Sequence, residues 1–215
     1  MDDGRVVKRT QGTAAGLDRE RIAAVAVELV DRDGLERFGV RRLAQALGVD
    51  PMSIYHHIKG KAALLDAVAE RVLTEVESAV VEPAGPAEDD WRQVARATAH
   101  AYRATAYRHP RVFPLLATRP QISAVALARL EYLVAAMRAA GLPERVVADA
   151  PMTLFAFLNG YLLAVLSEHS GGIPNVDPAE YPTMAALTPL MKDFGSAEEF
   201  DRMLDTVLDG IRRRR

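Results

Sequence analysis

Cysteine is absent from this chain of 215 residues. Its absence excludes disulfides, thiolate nucleophiles and cysteine-bound zinc, and accords with a reducing, cytoplasmic setting. Apolar residues are scarce at the start too: MDDGRVVKRTQG is polar and is not expected to act as a signal peptide. The most apolar stretch, residues 151–166, is short for a membrane span and carries Asn159, so it reads as a buried helix. Charge of one sign is lacking, with a net charge of −2 at pH 7, which argues against indiscriminate nucleic-acid binding. There is no nucleophile elbow, P-loop, pair of metal ligands or glycine-rich nucleotide fingerprint, and His100, His109 and His169 have no evident partners in sequence. An enzyme is therefore not expected, and neither a cofactor nor a metal is called for.

What is present is ordinary globular material, 49% hydrophobic and 26% charged, enough for a sizeable core. No segment alternates β-branched residues with period two, so the whole chain reads as all-α. Residues 1–16 look like a mobile arm, where Lys8 and Arg9 are candidates for a minor groove or simply part of a disordered tail. A first helix is expected over 18–32, capped by Asp18, with Ile22, Val25, Ala26, Leu29 and Val30 on one face and Gly34 ending it. Further helices are expected over 40–47, 51–58, 61–80, 89–108, 111–117, 121–140, 144–168 and 197–211. The proline-rich segment 171–196 is an irregular connection with room for a short helix at 184–193.

The informative stretch is VRRLAQALGVDPMSIYHHI, residues 40–58. Leu43, Ala44 and Leu47 give a short helix one apolar face, Gly48 makes the turn, and Asp50-Pro51 opens a second short helix with aspartate as N-cap and proline at the first helical position. Ile54 and Ile58 anchor that second helix from beneath, which leaves Ser53, His56 and His57 outward with Met52 and Tyr55 beside them. So short a helix buries little, and its outward side chains suit base edges and phosphates, the form of a helix that reads DNA. The plain alternative is an ordinary helical hairpin in a bundle. His56 and His57 do not suggest a metal site, because neighbours on a helix point about 100° apart. Residues 1–61 carry two more basic than acidic residues and the remaining chain four fewer, an asymmetry that matters only because the motif lies in the basic part.

The run LAQALGVDPMSIYHHIKGKAALLDAVAE resembles the DNA-binding domain of the TetR family, most of all its tetracycline-repressor branch. The likeness is strong over residues 17–75 and continues weakly through Trp91 and Thr118-Arg119-Pro120 to Glu168. The resemblance implies a helix-turn-helix domain at 17–62, joined by a long helix to an effector-binding and dimerisation domain at 63–215. It implies a homodimer held by a four-helix bundle, and a repressor that a small molecule releases from operator DNA. Carried over residue by residue, Arg41 falls where the family reaches a base. Pro51, Met52 and Ser53 take positions near base edges and methyls, Tyr55, His56 and His57 positions at phosphate or groove, and Lys61 a phosphate contact. Gly39-Val40 stands where the family often has a threonine pair, so a hydroxyl contact is lost.

Candidates for an effector pocket are the polar and aromatic residues scattered on apolar helices: Glu77, His100, Tyr102, Arg103, Tyr107, Phe113, Thr118, Arg119, Tyr132, Phe155, Asn159 and Glu168. Tetracycline repressors hold a drug–magnesium chelate through a histidine that matches Leu115, which cannot ligate metal. Two of their drug contacts match Glu77 and Thr98. The resemblance therefore points away from tetracycline–magnesium and toward a hydrophobic effector without metal. The apolar residues 151–166 and the stripe Phe200, Leu204, Val207, Leu208 and Ile211 are expected to form the dimer bundle. A dimeric ligand-binding module without DNA function is the remaining alternative.

Overall fold

The computed structural model describes residues 16–79, 90–119, 124–167 and 176–213, with backbone alone at 77–79, 90 and 125. The expected arm and Glu168 lie outside the described residues, as does the Glu77 side chain. Ten α-helices and one 3-10 turn make up the secondary structure of the described residues. The chain divides after Val68 into two compact units, within the helix α4 (Gly60–Ala79) rather than at its start.

The first unit is built on α1 (Arg19–Asp33), whose N-terminus is capped by Asp18 Oδ1 accepting from Arg21 N at 2.7 Å. Its core face carries Ile22, Ala26 and Val30, all fully buried, with Val27 and Leu29 beside them; Val25 is only half-buried. α2 (Val40–Leu47) packs on α1 and on α3 (Pro51–His57). Phe38, Leu43, Ile54, Ile58 and Leu64 close this small core. Burying each large aliphatic side chain contributes about 1.5–3 kcal/mol, which is how so short a helix as α3 is held in place.

The second unit is assembled around α8 (Glu144–Leu166), against which α5 (Asp90–Arg108), α6 (Phe113–Thr118), α7 (Ala124–Ala139) and α10 (Ala197–Arg212) all pack. Small residues on α5, Ala95, Ala99 and Ala106, allow close approach, and the single tryptophan, Trp91, is sealed at 1% exposure. Leu154, Leu158 and Leu162 run down the buried side of α8. By length and composition α8 could cross a membrane, yet its packing against four neighbours is that of a core helix. It begins seven residues before the apolar stretch, because Glu144, Arg145 and Asp149 turn outward. Between α8 and α10, α9 (Pro182–Leu187) and a 3-10 turn (Thr188–Met191) occupy the irregular connection, near the helix expected at 184–193.

One expectation for the dimer bundle changes. The apolar stripe of α10, with Phe200, Leu204 and Leu208 at 0% exposure, is consumed by its own subunit. The face that α8 and α10 leave uncovered is instead Thr153, Ala156, Gly160 and Ala164 with Met203, Thr206 and Gly210. A helix with one apolar stripe buries it against the nearest apolar surface, here α8.

Candidate functional site

The α2–turn–α3 motif is set by three local devices. Gly48 sits at φ 67°, ψ 31°, a left-handed conformation that a residue with a Cβ adopts at a cost, and Val49 N closes the turn on Ala44 O at 3.0 Å. Asp50 Oδ1 then accepts from Met52 N at 2.8 Å, and Pro51 occupies the first turn, where its missing N–H loses nothing. Ile54 and Ile58, at 1% and 2% exposure, point into the core. The outward face is therefore fixed: Met52 at 62% and Tyr55 at 39% exposure, with His56, His57, Lys61 and Arg41 exposed and Pro51 and Ser53 half-buried.

The neighbouring arginines differ. Arg42 is engaged, with Nη2 3.2 Å from Asp33 Oδ2 and Nη1 donating to Arg37 O at 3.3 Å. Arg41 has no hydrogen-bond or ion-pair partner among the described residues, nor do the Tyr55, His56, His57 and Lys61 side chains. A polar surface that the described residues leave unengaged, on a helix anchored from beneath, is suited to an external polyanion.

In the second unit, a cavity of about 320 Å³ opens among five helices. Leu73 and Val76 of α4, Thr98 and Tyr102 of α5, and Leu116 and Ala117 of α6 form one side, with Arg119 just beyond. Ala126, Arg129, Leu130 and Leu133 of α7 face Pro151, Met152, Phe155 and Asn159 of α8. The Tyr102 hydroxyl donates to Asn159 Oδ1 at 2.8 Å, and its ring meets Phe113 and Phe155 edge-on at 5.6 and 5.8 Å. Burial pushes the Tyr102 hydroxyl far above its ordinary pKa. Thr98 Oγ1 and the Nε and Nη2 atoms of Arg129 are shut away from solvent without a hydrogen-bond partner.

Of the residues singled out in the sequence, Tyr102, Arg119, Phe155 and Asn159 meet at this cavity. Phe113 supports Tyr102 from behind, and Tyr132 lies 6.0 Å from the Arg129 guanidinium. Thr118 turns back to donate to Pro114 O at 2.6 Å. His100, Arg103 and Tyr107 are not among the lining residues, because the start of α10 claims them. Arg103 Nη2 and the Tyr107 hydroxyl both donate to Gly195 O, at 3.1 and 3.0 Å, and His100 Nε2 lies 3.0 Å from Asp201 Oδ1. Glu199 completes that anchor by accepting from Gly195 N at 2.7 Å and from the Tyr161 hydroxyl at 3.0 Å. Arg129 escaped the sequence reading; with Glu131 and Arg138 in the same helix, nothing local set it apart.

A second polar cluster joins the end of α4 to the α5–α6 connection. Glu75 faces Arg71 at 3.5 Å, His109 Nε2 at 3.0 Å and Arg108 in a close ion pair. Burial acts to raise the Glu75 carboxyl pKa, but the His109 hydrogen bond and the charges of His109, Arg108 and Arg71 outweigh it and hold the group below its ordinary 4.5. Among the described residues, no group of three histidines or acids is placed to hold a metal ion.

Two family models match the chain. One, described as bacterial regulatory proteins of the tetR family, covers residues 22–68, and the other, a tetracyclin repressor-like C-terminal domain, covers 82–215. An HTH-type transcriptional regulator of Saccharopolyspora erythraea is 34% identical over 91% of this chain and 84% of its own length. The class A tetracycline repressor protein from transposon 1721 of Escherichia coli is 31% identical over 93% of this chain and 92% of its own. Among solved structures, a possible TetR family transcriptional regulator from Streptomyces coelicolor A3(2) superposes with a TM-score of 0.79 at 28% identity. That match covers 92% of this chain and all of the other.

Proposed function

The chain belongs to the TetR family of bacterial transcriptional regulators, and we propose that it is a dimeric repressor that reads DNA with α3 and is released by a small molecule in the cavity. The observation that carries this reading is the outward face of α3, anchored by Ile54 and Ile58 and left unengaged by the described residues. Met52 and Ser53 at its start would meet base edges and a thymine methyl. Arg41 would reach a base, and Tyr55, His56, His57 and Lys61 would hold phosphates.

One copy of so short a motif reads few base pairs, and a two-fold dimer doubles the reading with recognition helices about 34–36 Å apart. The uncovered small-residue face of α8, flanked by Met203, Thr206 and Gly210 of α10, suits a second copy at close range. A mostly apolar cavity of about 320 Å³ with a few polar groups is the kind of space that holds drug-sized molecules. Only two residues separate the end of α3 from the start of α4, which carries Leu73 and Val76 into the cavity wall. A ligand that binds the DNA-free form better by about 1–3 kcal/mol, acting through α4, would give useful release. The effector is read as a largely apolar molecule without a metal, since Leu115 offers no ligand where a metal-chelating drug would need one.

A mobility-shift assay on the DNA flanking the protein's own gene tests this. Binding is expected to weaken steeply with salt, as phosphate contacts release counterions. Absence of binding at low salt would overturn the assignment of α3, and magnesium-dependent tetracycline binding in calorimetry would overturn the effector class.

A further inference from the structure

The cavity wall carries an imbalance. Its polar groups are mostly donors, two arginines among them, Arg119 and Arg129, and no lining residue has a carboxylate. Arg129 is the decisive case. Its Nε and Nη2 atoms are both out of reach of solvent and without a hydrogen-bond partner, and the face of Tyr132 at 6.0 Å is its one described companion. Arg129 as a whole is half-buried, so these two enclosed atoms stand out: leaving such donors unmet is costly, and they form one edge of its planar fork, the edge that grips a carboxylate through two parallel hydrogen bonds. Thr98 Oγ1, also unpartnered and 3% exposed, stands on α5 in the same wall. Apart from the Tyr102 hydroxyl and Asn159, which hold each other, the remaining lining is apolar.

We infer that the ligand of this cavity is an amphipathic organic anion: an apolar, ring-bearing body among Leu73, Leu133 and Phe155, with a carboxylate held side-on by Nε and Nη2 of Arg129. This rests on the cavity being the effector site proposed above. The chemistry separates such acids from neutral apolar molecules and from cations, which the Arg129 guanidinium repels.

Calorimetric titration of the full-length protein with anthracene-9-carboxylate and with its neutral carboxamide tests the inference. The carboxylate is expected to bind tighter by about tenfold or more, the range of a charged two-point hydrogen bond. Arg129→Met should abolish that preference by weakening the carboxylate far more than the carboxamide, while its melting temperature does not fall, because Nε and Nη2 make no hydrogen bond for the substitution to break. A merely structural arginine would give a lower melting temperature instead. Arg129→Lys, which keeps the charge but not the fork, should retain part of the preference. Ala126→Trp, which fills the cavity, should block both compounds. Equal affinities that Ala126→Trp blocks, no binding of the carboxylate, or a preference that survives Arg129→Met would overturn the anion and leave the cavity as a ligand site. Binding undiminished by Ala126→Trp would remove the cavity as the site, and the anion with it.

Discussion

The phenolic hydroxyl of Tyr102 donates to Asn159 Oδ1 at 2.8 Å and so joins α5 to α8 along the cavity wall. Tyr102→Phe removes the donor and leaves a half-buried amide oxygen unsatisfied. Stability is expected to fall by about 1 kcal/mol, read as a lower urea midpoint with unchanged slope. Because burial raises the Tyr102 pKa from its ordinary 10.0, this contribution is complete below pH 10 and is lost as pH rises beyond it. Tyr161, raised by burial and by its bond to Glu199, adds to the same alkaline loss. Identical alkaline unfolding of wild type and Tyr102→Phe would contradict the assignment.

Arg41→Ala and Tyr55→Ala are expected to weaken operator binding while shifting stability by no more than about 0.5 kcal/mol, as exposed side chains without partners among the described residues do. If either residue holds a phosphate, its loss also reduces the slope of log affinity against log salt by about one. Arg42→Ala should matter less for DNA, since Asp33 and Arg37 already hold that side chain. A melting-temperature drop that accounts for the lost affinity would place Arg41 or Tyr55 in the core instead.

Gly195 lies at φ +87°, and a Cβ there would meet Val165 Cγ1 at 3.1 Å. Its carbonyl and amide are both engaged, by Arg103, Tyr107 and Glu199, so the backbone has no freedom to relax. Gly195→Ala is expected to destabilise the second unit by about 1–2 kcal/mol. Equilibrium unfolding checks this, and an unchanged midpoint would show that the start of α10 rearranges freely.

Glu75 predicts an acid limb. Its folded pKa lies below the ordinary 4.5, so the unfolded chain binds more protons as pH falls. The stabilisation is present above pH 4.5 and is lost as pH drops through the lower folded value. Glu75→Gln should be less stable than wild type near neutrality and should lose less on acidification to about pH 3. Parallel stability–pH curves for the two proteins would refute the coupling to His109, Arg108 and Arg71.

Much of this architecture is written in local chemistry that the sequence displays openly. Asp18, Gly48, Asp50 and Pro51 act through the nearest few residues, so the helix-turn-helix and the bounds of α1–α3 could be read directly. The cavity could not, because it depends on which helices become neighbours. His100, Arg103 and Tyr107 have the same local appearance as Tyr102, and only the arrival of α10, some ninety residues away, draws them off. Arg129 was missed for the converse reason. Nothing in its vicinity along the chain signals that its guanidinium edge is enclosed; that follows from the approach of α8 and α5. The apolar stripe of α10 likewise has two possible partners, its own subunit or another, and periodicity alone does not choose between them.

Trp91, the chain's one indole, lies in the second unit and is sealed there at 1% exposure. Its emission is therefore a built-in spectroscopic gauge of that unit alone. A red shift marks the opening of the helical body around α8, while unfolding confined to residues ahead of Val68 leaves the signal unmoved and appears only in circular dichroism. The order in which the two units come apart can be followed in the unlabelled wild-type chain.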